Sequence, residues 1–79
     1  MHILYFAHAR LAVGASEDSL FSAEPLTQDE FWHLLTCRHP ALLPLQTFCR
    51  LSKNCHFLQT GQMIDPDDEV AILPPVSGG

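Results

Sequence analysis

The sequence DDEVAILPPVSGG occupies residues 67–79 and combines a turn, a strand and a tail. Its acidic start has the composition of a turn. The segment EVAILP then predicts the last strand, with Val70 and Ile72 on one face and Ala71 and Leu73 on the other. The last ordered element is therefore expected to be a strand that delivers the tail into solvent.

The tail combines stiffness with very little bulk. Pro74 and Pro75 hold the approach extended and, because they have no N–H to donate, prevent the tail from prolonging the sheet. Gly78 and Gly79 carry no side chain, so a terminal carboxyl group there can pass through a narrow channel. We expect the tail to present the Gly79 carboxyl group to the active site of another protein.

The start of the chain predicts a strand followed by a helical turn. Residues 2–8, HILYFAH, are rich in β-branched and aromatic residues, and alternation places Ile3 and Tyr5 on one face and Leu4 and Phe6 on the other. The segment ARLAVGA predicts a short helical turn closed by its glycine. SEDSLFSAE can then return as a second strand.

The middle of the chain predicts the main helix. Residues 27–30, TQDE, have the spacing of a capping box, and Pro40 forbids continuation of the helix beyond His39. Phe31, Leu34, Leu35 and Arg38 are predicted to follow at helical spacing, and Trp32 widens the apolar stripe. Beyond a proline-broken connector, TFCRLSKNCHFL predicts a strand, a turn near Lys53-Asn54 and a short strand.

This order of elements predicts the fold class α+β and the β-grasp, or ubiquitin-like, arrangement. One main helix covers one face of a mixed sheet, and the first and last strands lie parallel at its centre. The chain of 79 residues has room for one small domain. We assign the β-grasp domain to residues 1–75 and a flexible tail to residues 76–79.

Charge and cysteine content argue against several classes of function. A net charge of −5 with only four Lys and Arg residues argues against a nucleic-acid partner. The apolar stretches are too interrupted for a membrane span, and the N-terminus lacks the basic region of a signal peptide, so we expect a cytoplasmic protein. Cys37, Cys49 and Cys55 are predicted to be reduced thiols, and no metal site is expected from their spacing with the histidines.

One face of the predicted sheet has no obvious cover. If the helix packs on Ile3, Tyr5, Val70 and Ile72, the opposite face presents apolar side chains, namely Leu4, Phe6, Ala71 and Leu73. A contiguous apolar patch in so small a domain indicates a protein partner. Arg10, one of few cations, is expected to contribute an ion pair to that partner.

The tail suggests activation of its carboxyl group. A carboxylate is a poor electrophile, so we expect adenylation by ATP and displacement of AMP by a sulfur nucleophile. The product is either a thioester for protein conjugation or a thiocarboxylate that donates sulfur. Gly-Gly alone does not separate these two routes.

LYFAHARLAVG near the start and DDEVAILPPVSGG at the end resemble the small, sulfur-carrier subunits of molybdopterin synthase, of the MoaD/ThiS type. The resemblance spans the chain in length and element order. It implies that Gly79 is adenylated and then thiocarboxylated, and that sulfur passes to cyclic pyranopterin monophosphate in molybdenum cofactor biosynthesis. It also implies that Pro75, Val76, Ser77 and Gly78 insert into the partner.

The same resemblance implies a carrier without catalytic activity of its own. Its partners would be the large, catalytic subunit, in a heterotetramer with two small subunits, and an adenylating and sulfurating enzyme. No cofactor would be bound stably, since the AMP is only a transient acyl-adenylate. Two alternatives remain open: a sulfur carrier of the thiamine pathway and a ubiquitin-like protein modifier.

Overall fold

A computed structural model of the chain describes residues 1–74. It contains five strands, two α-helices and one 3-10 helix within that range. In chain order these are β1 (His2–Tyr5), α1 (Ala7–Val13), β2 (Glu17–Ser19), α2 (Gln28–Arg38), the 3-10 helix (Pro40–Leu45), β3 (Arg50–Lys53), β4 (His56–Phe57) and β5 (Glu69–Leu73).

The five strands form one mixed sheet in the order β2-β1-β5-β3-β4. β1 runs parallel to β5, from His2 opposite Glu69 to Tyr5 opposite Ile72, and the other pairs are antiparallel. β5 is therefore the central strand, with β1 beside it. This topology, with one main helix on the sheet, confirms the predicted α+β, β-grasp fold.

The first strand is shorter than predicted. It ends at Tyr5 rather than at residue 8, and α1 begins at Ala7, which has a positive φ of 48°. The predicted helical turn thus begins two residues earlier than Ala9, and the helix buries Ala9 completely in the core. Gly14 closes α1 in the left-handed conformation, as predicted, and donates its N–H to the carbonyl of Arg10.

The main helix begins with the predicted capping box. The Glu30 N–H donates to Thr27 Oγ1 at 3.1 Å, and the Thr27 N–H donates to Glu30 Oε1 at 2.9 Å. Phe31, Trp32 and Leu35 are buried, but Leu34 is 39% exposed, so its predicted place in the apolar stripe is wrong. The buried stripe is centred on Phe31 and Leu35 and widens toward Trp32, which leaves Leu34 at its margin.

The core lies between α2 and one face of the sheet. Ile3, Tyr5, Val70 and Ile72 all have at most 1% of their surface exposed. They form one cluster with the buried face of α2, which confirms the predicted assignment of the two sheet faces. The alternate residues of β1 and β5 consequently face away from the helix.

The β3–β4 hairpin turns at Asn54 and Cys55, one residue later than predicted. Both residues have positive φ, 50° and 71°, as in a two-residue type I′ turn. Asn54 also ties this turn to β5, because its side chain accepts a hydrogen bond from the Glu69 N–H at 3.0 Å and donates to Asp68 at 2.9 Å.

Candidate functional site

The candidate site is the sheet face opposite α2, which we call the open face, together with the end of β5 from which the tail continues. The register places Leu4 opposite Ala71, and Ala71 opposite Ser52. Ser52 in turn pairs with Phe57, and Leu73 pairs with Arg50. The open face therefore crosses four adjacent strands.

The structure brings the predicted interface residues of β1 and β5 together on this face. Leu4, Ala71 and Leu73 are partly exposed, and Phe6, which follows β1, is 44% exposed. Within residues 1–74 no helix packs over this part of the sheet, because α2 lies on the other side. The open face is thus apolar at its centre and accessible to a partner.

Two further residues extend the open face beyond the predicted set. Arg50 lies in β3 and Phe57 in β4, and the guanidinium carbon of Arg50 is 4.4 Å from the centroid of the Phe57 ring. Neither Arg50 nor Phe57 was among the residues predicted from the sequence. Their contact depends on the register of the β3–β4 hairpin. The turn of this hairpin contains no glycine and no Asn-Gly pair, the usual sequence signals from which a hairpin register is predicted.

The end of the open face away from the tail is polar. His2 lies between two carboxylates, with Nδ1 3.1 Å from Glu69 Oε2 and Nε2 3.5 Å from Glu17 Oε1. All three side chains are largely exposed, so these pairs contribute little to stability. Their effect is to give the two ends of the open face different charge.

The tail leaves the domain beside α1. Because β1 and β5 are parallel, both strands have their carboxyl ends at the same end of the sheet. α1 begins there, and it carries Arg10 as an exposed side chain. Arg10 therefore lies in the helix that begins at this end of the sheet, within the segment predicted to form a helical turn.

On the core side of the sheet, the Asp18 carboxylate contacts three other side chains and one backbone N–H. Its carboxylate accepts a hydrogen bond from the Tyr5 hydroxyl at 3.1 Å, lies 2.8 Å from His39 Nε2 and pairs with Arg38 at 3.1 Å. Burial acts to raise the pKa of Asp18, but the bonds from His39, the Ser19 N–H and Tyr5, with the Arg38 charge, outweigh it and lower the pKa. Asp18 is thus held as an ionised acceptor that ties β1 and β2 to the end of α2.

The same cluster raises the pKa of Tyr5. Burial is the main cause, followed by the negative charge of Asp18 and the hydrogen bond to it. The hydroxyl therefore stays protonated and acts as a donor. We assign the cluster a structural role.

Asp68 is a second anchored carboxylate. Burial acts to raise its pKa, but hydrogen bonds from the Asp65 N–H and Asn54, together with the Lys53 ammonium 3.6 Å away, lower it. Lys53 is the only lysine of the chain and is held in this contact. The turn before β5 is therefore fixed by electrostatics as well as by the backbone.

The three cysteines are free thiols in different surroundings. Cys37 is exposed, with its sulfur 3.8 Å from His33 Nε2, and Cys55 is exposed in the hairpin turn. Burial raises the pKa of the partly buried Cys49. In the described range no three His, Cys, Asp or Glu residues lie close enough together to hold a metal ion.

No helix among residues 1–74 has the length and apolar character to cross a bilayer. The predicted site residues of the tail, Pro75, Val76, Ser77, Gly78 and Gly79, lie outside the described residues. Their roles stay predictions, as does the tail boundary after residue 75.

Comparison with known proteins places this geometry in context. The molybdopterin synthase sulfur carrier subunit of Homo sapiens is 24% identical and aligns over 100% of this chain and 93% of its own length. The protein of the same name from Chlamydomonas reinhardtii is 30% identical over 98% of this chain and 95% of its own. The crystal structure of SAMP1 from Haloferax volcanii superposes with a TM-score of 0.81 at 23% identity, over 99% of this chain and 97% of that one, and so shares its fold.

The match to a protein family is equally extensive. The ThiS family aligns with residues 3–79, which includes β1 from Ile3 onward, every later element and the Gly-Gly tail. The chain therefore belongs to the ThiS family.

Proposed function

We propose that the chain is the sulfur-carrier subunit of a molybdopterin synthase. The observation that carries this proposal is the alignment, over nearly the whole of both chains, with proteins named molybdopterin synthase sulfur carrier subunit. The family alignment supports it as well, because it extends through the tail to residue 79.

The chemistry centres on the carboxyl group of Gly79. Its carboxylate attacks the α-phosphate of ATP, which releases pyrophosphate and leaves an acyl-adenylate. A sulfur nucleophile then displaces AMP and yields a terminal thiocarboxylate. That thiocarboxylate donates its sulfur to cyclic pyranopterin monophosphate, and hydrolysis by water supplies the oxygen that returns the carrier to the carboxylate form.

The fold suits this role because the folded domain can bind the partner while the tail carries the reacting carboxyl group. Leu73, the last residue of the central strand, pairs with Arg50 of β3, and the preceding Ile72 pairs with both β1 and β3, so the point from which the tail continues is fixed. Five residues beyond Pro74 can span at most about 17 Å when fully extended. The reacting carboxyl can therefore enter a partner's active site while the open face rests on the partner's surface.

In this proposal the chain supplies sulfur and a docking surface, and the large subunit supplies catalysis. Leu4, Phe6, Ala71 and Leu73 form the apolar centre of the contact, and Arg10 contributes charge beside the tail. An apolar face on so small a domain is typical of a stable interface. The assembly is a heterotetramer with two carriers, working in the cytoplasm with a separate adenylating and sulfurating enzyme.

Two other functions share the fold and the tail chemistry. A sulfur carrier of the thiamine pathway would dock on a thiazole synthase, and a protein modifier would form conjugates with lysines. The names of the curated relatives favour molybdopterin synthase over both. Copurification with a large subunit, a thiazole synthase or a ladder of conjugates distinguishes the three.

A reconstituted synthase tests the proposal. The chain is prepared as its chemically generated thiocarboxylate and mixed with the large subunit and cyclic pyranopterin monophosphate, and molybdopterin formation is measured. We expect product from the full chain. A chain lacking Gly79 should lose at least about a hundredfold in rate, because its reactive group is retracted by about 3.3 Å.

Folding and docking serve as controls for that experiment. The shortened chain should keep the circular dichroism spectrum of the full chain and bind the large subunit with nearly the same affinity. Product formation at a comparable rate by the shortened thiocarboxylate would contradict the proposal, since the position of the terminal group would then be irrelevant.

A further inference from the structure

The four Lys and Arg residues of the chain fall into two pairs. Arg38 and Lys53 are paired with Asp18 and Asp68 on the core side of the sheet. Within residues 1–74, Arg10 and Arg50 contact no carboxylate. The chain has a net charge of −5, so carboxylates outnumber cations. It is therefore unusual that two of its four cations have no carboxylate partner among residues 1–74.

Arg50 has a defined position on the open face. It pairs in register with Leu73, the residue from which the tail continues. Its guanidinium group lies 4.4 Å from the centroid of the Phe57 ring, which is itself half-exposed. Stacking on an aromatic ring restricts the side chain and leaves the guanidinium edge free to donate to a carboxylate.

Charge is therefore distributed unequally along the open face. Arg50 lies at the end near the tail, whereas Glu69 lies at the other end beside His2, which also contacts Glu17, the β2 residue opposite Leu4. The apolar centre, formed by Leu4 and Ala71, carries no charge and so does not by itself favour one orientation of a bound partner. A partner with a carboxylate near the channel for the tail would bind this face in one orientation only, because the reverse orientation would place like charges together.

We propose that Arg50, held against Phe57, binds a carboxylate of the large subunit beside the entrance of its tail channel and thereby orients the carrier. This inference rests on the proposed function and assigns the chemistry of the docking partner at one named position. Arg50 acts as an orienting residue and takes no part in sulfur transfer.

The test compares variants of equal charge change. Arg50→Gln and Thr60→Glu each lower the net charge of the chain by one. Thr60 is exposed and lies beside Gln28 and Asp29, at the start of α2 and away from the open face. Affinity for the large subunit of the same organism is measured by titration calorimetry at low and high salt, after circular dichroism has shown that both variants fold.

We expect Arg50→Gln to weaken binding by about tenfold at low salt and by less at high salt, since screening already weakens the ion pair of the parent chain. Thr60→Glu should change affinity less than about twofold. Arg50→Lys should recover part of the loss, because it restores the charge without the planar donor edge.

Equal affinities of the parent chain and Arg50→Gln at low salt would overturn the inference and leave the proposed function intact. Equal weakening by Arg50→Gln and Thr60→Glu would also overturn it, because net charge alone would then explain the effect. Failure of the parent chain itself to bind the large subunit would overturn both the inference and the proposed function.

Discussion

Replacement of Asp18 by Asn tests how much of the fold depends on a single carboxylate. Asp18 is 15% exposed and accepts from or pairs with Tyr5, His39 and Arg38 at 3.1, 2.8 and 3.1 Å. Hydrogen bonds to a charged group contribute about 1.5–3 kcal/mol each. The half-exposed Arg38 contributes at most about 1 kcal/mol, because solvent screens it.

An Asn side chain keeps one acceptor oxygen but turns two N–H donors toward a cluster that already supplies donors. We therefore expect Asp18→Asn to lower the free energy of unfolding by about 2–4 kcal/mol, out of the roughly 5–15 kcal/mol typical of a small domain. Urea unfolding at pH 7, followed by circular dichroism, measures the loss. Asp67→Asn, an exposed change in a nearby turn, is the control and should cost less than about 0.5 kcal/mol.

The difference in unfolding free energy between the parent chain and Asp18→Asn should depend on pH. The folded-state pKa of Asp18 is lowered below the unfolded value of about 3.9. Its contribution is therefore fully present above about pH 4 and is lost as pH falls through the folded pKa. The gap in stability between the parent chain and Asp18→Asn should therefore narrow as pH falls below about 4. A loss below about 1 kcal/mol at pH 7, or a gap that does not change with pH, would refute this account of the cluster.

Three further changes give distinct outcomes. Cys55→Gly should raise the free energy of unfolding by about 1 kcal/mol, because Cys55 has φ 71° and Asn-Gly is a favoured type I′ pair; a loss of stability in urea unfolding would contradict this. Phe6→Asp should keep the circular dichroism of the parent chain, since Phe6 is 44% exposed, but weaken large-subunit binding by at least about tenfold. Loss of the fold would instead place Phe6 in the core. Arg10→Ala should reduce the salt dependence of that binding, and an unchanged dependence would show that Arg10 is outside the interface.

Local sequence signals predicted much of the fold. The capping box at Thr27 and the proline after His39 set the limits of α2 correctly, because both act through the adjacent backbone. Alternation in the first and last strands assigned Ile3 and Val70 to the core and Leu4 to the opposite face. These signals depend on the residue and its immediate neighbours, and so they can be found without the tertiary structure.

The errors arose where tertiary contacts decide the outcome. β1 stops at Tyr5 because α1, which buries Ala9 in the core, begins at Ala7 and takes up two residues that were predicted to extend the strand. The contact between Arg50 and Phe57 depends on the register of a hairpin whose turn, at Asn54 and Cys55, lacks the usual glycine. Register couples residues on separate strands, and a one-residue slip would have moved every side chain to the other face.

The central claim is that the Gly79 carboxyl group becomes a thiocarboxylate. The most direct measurement is the intact mass of the chain after incubation with ATP, the adenylating enzyme and a sulfur source, followed by fragmentation to locate the change. We expect a gain of about 16 Da at Gly79, the difference between one carboxylate oxygen and one sulfur, and no gain when ATP is omitted. An unchanged mass with an active enzyme, or the same gain located on Cys37, Cys49 or Cys55, would contradict the account.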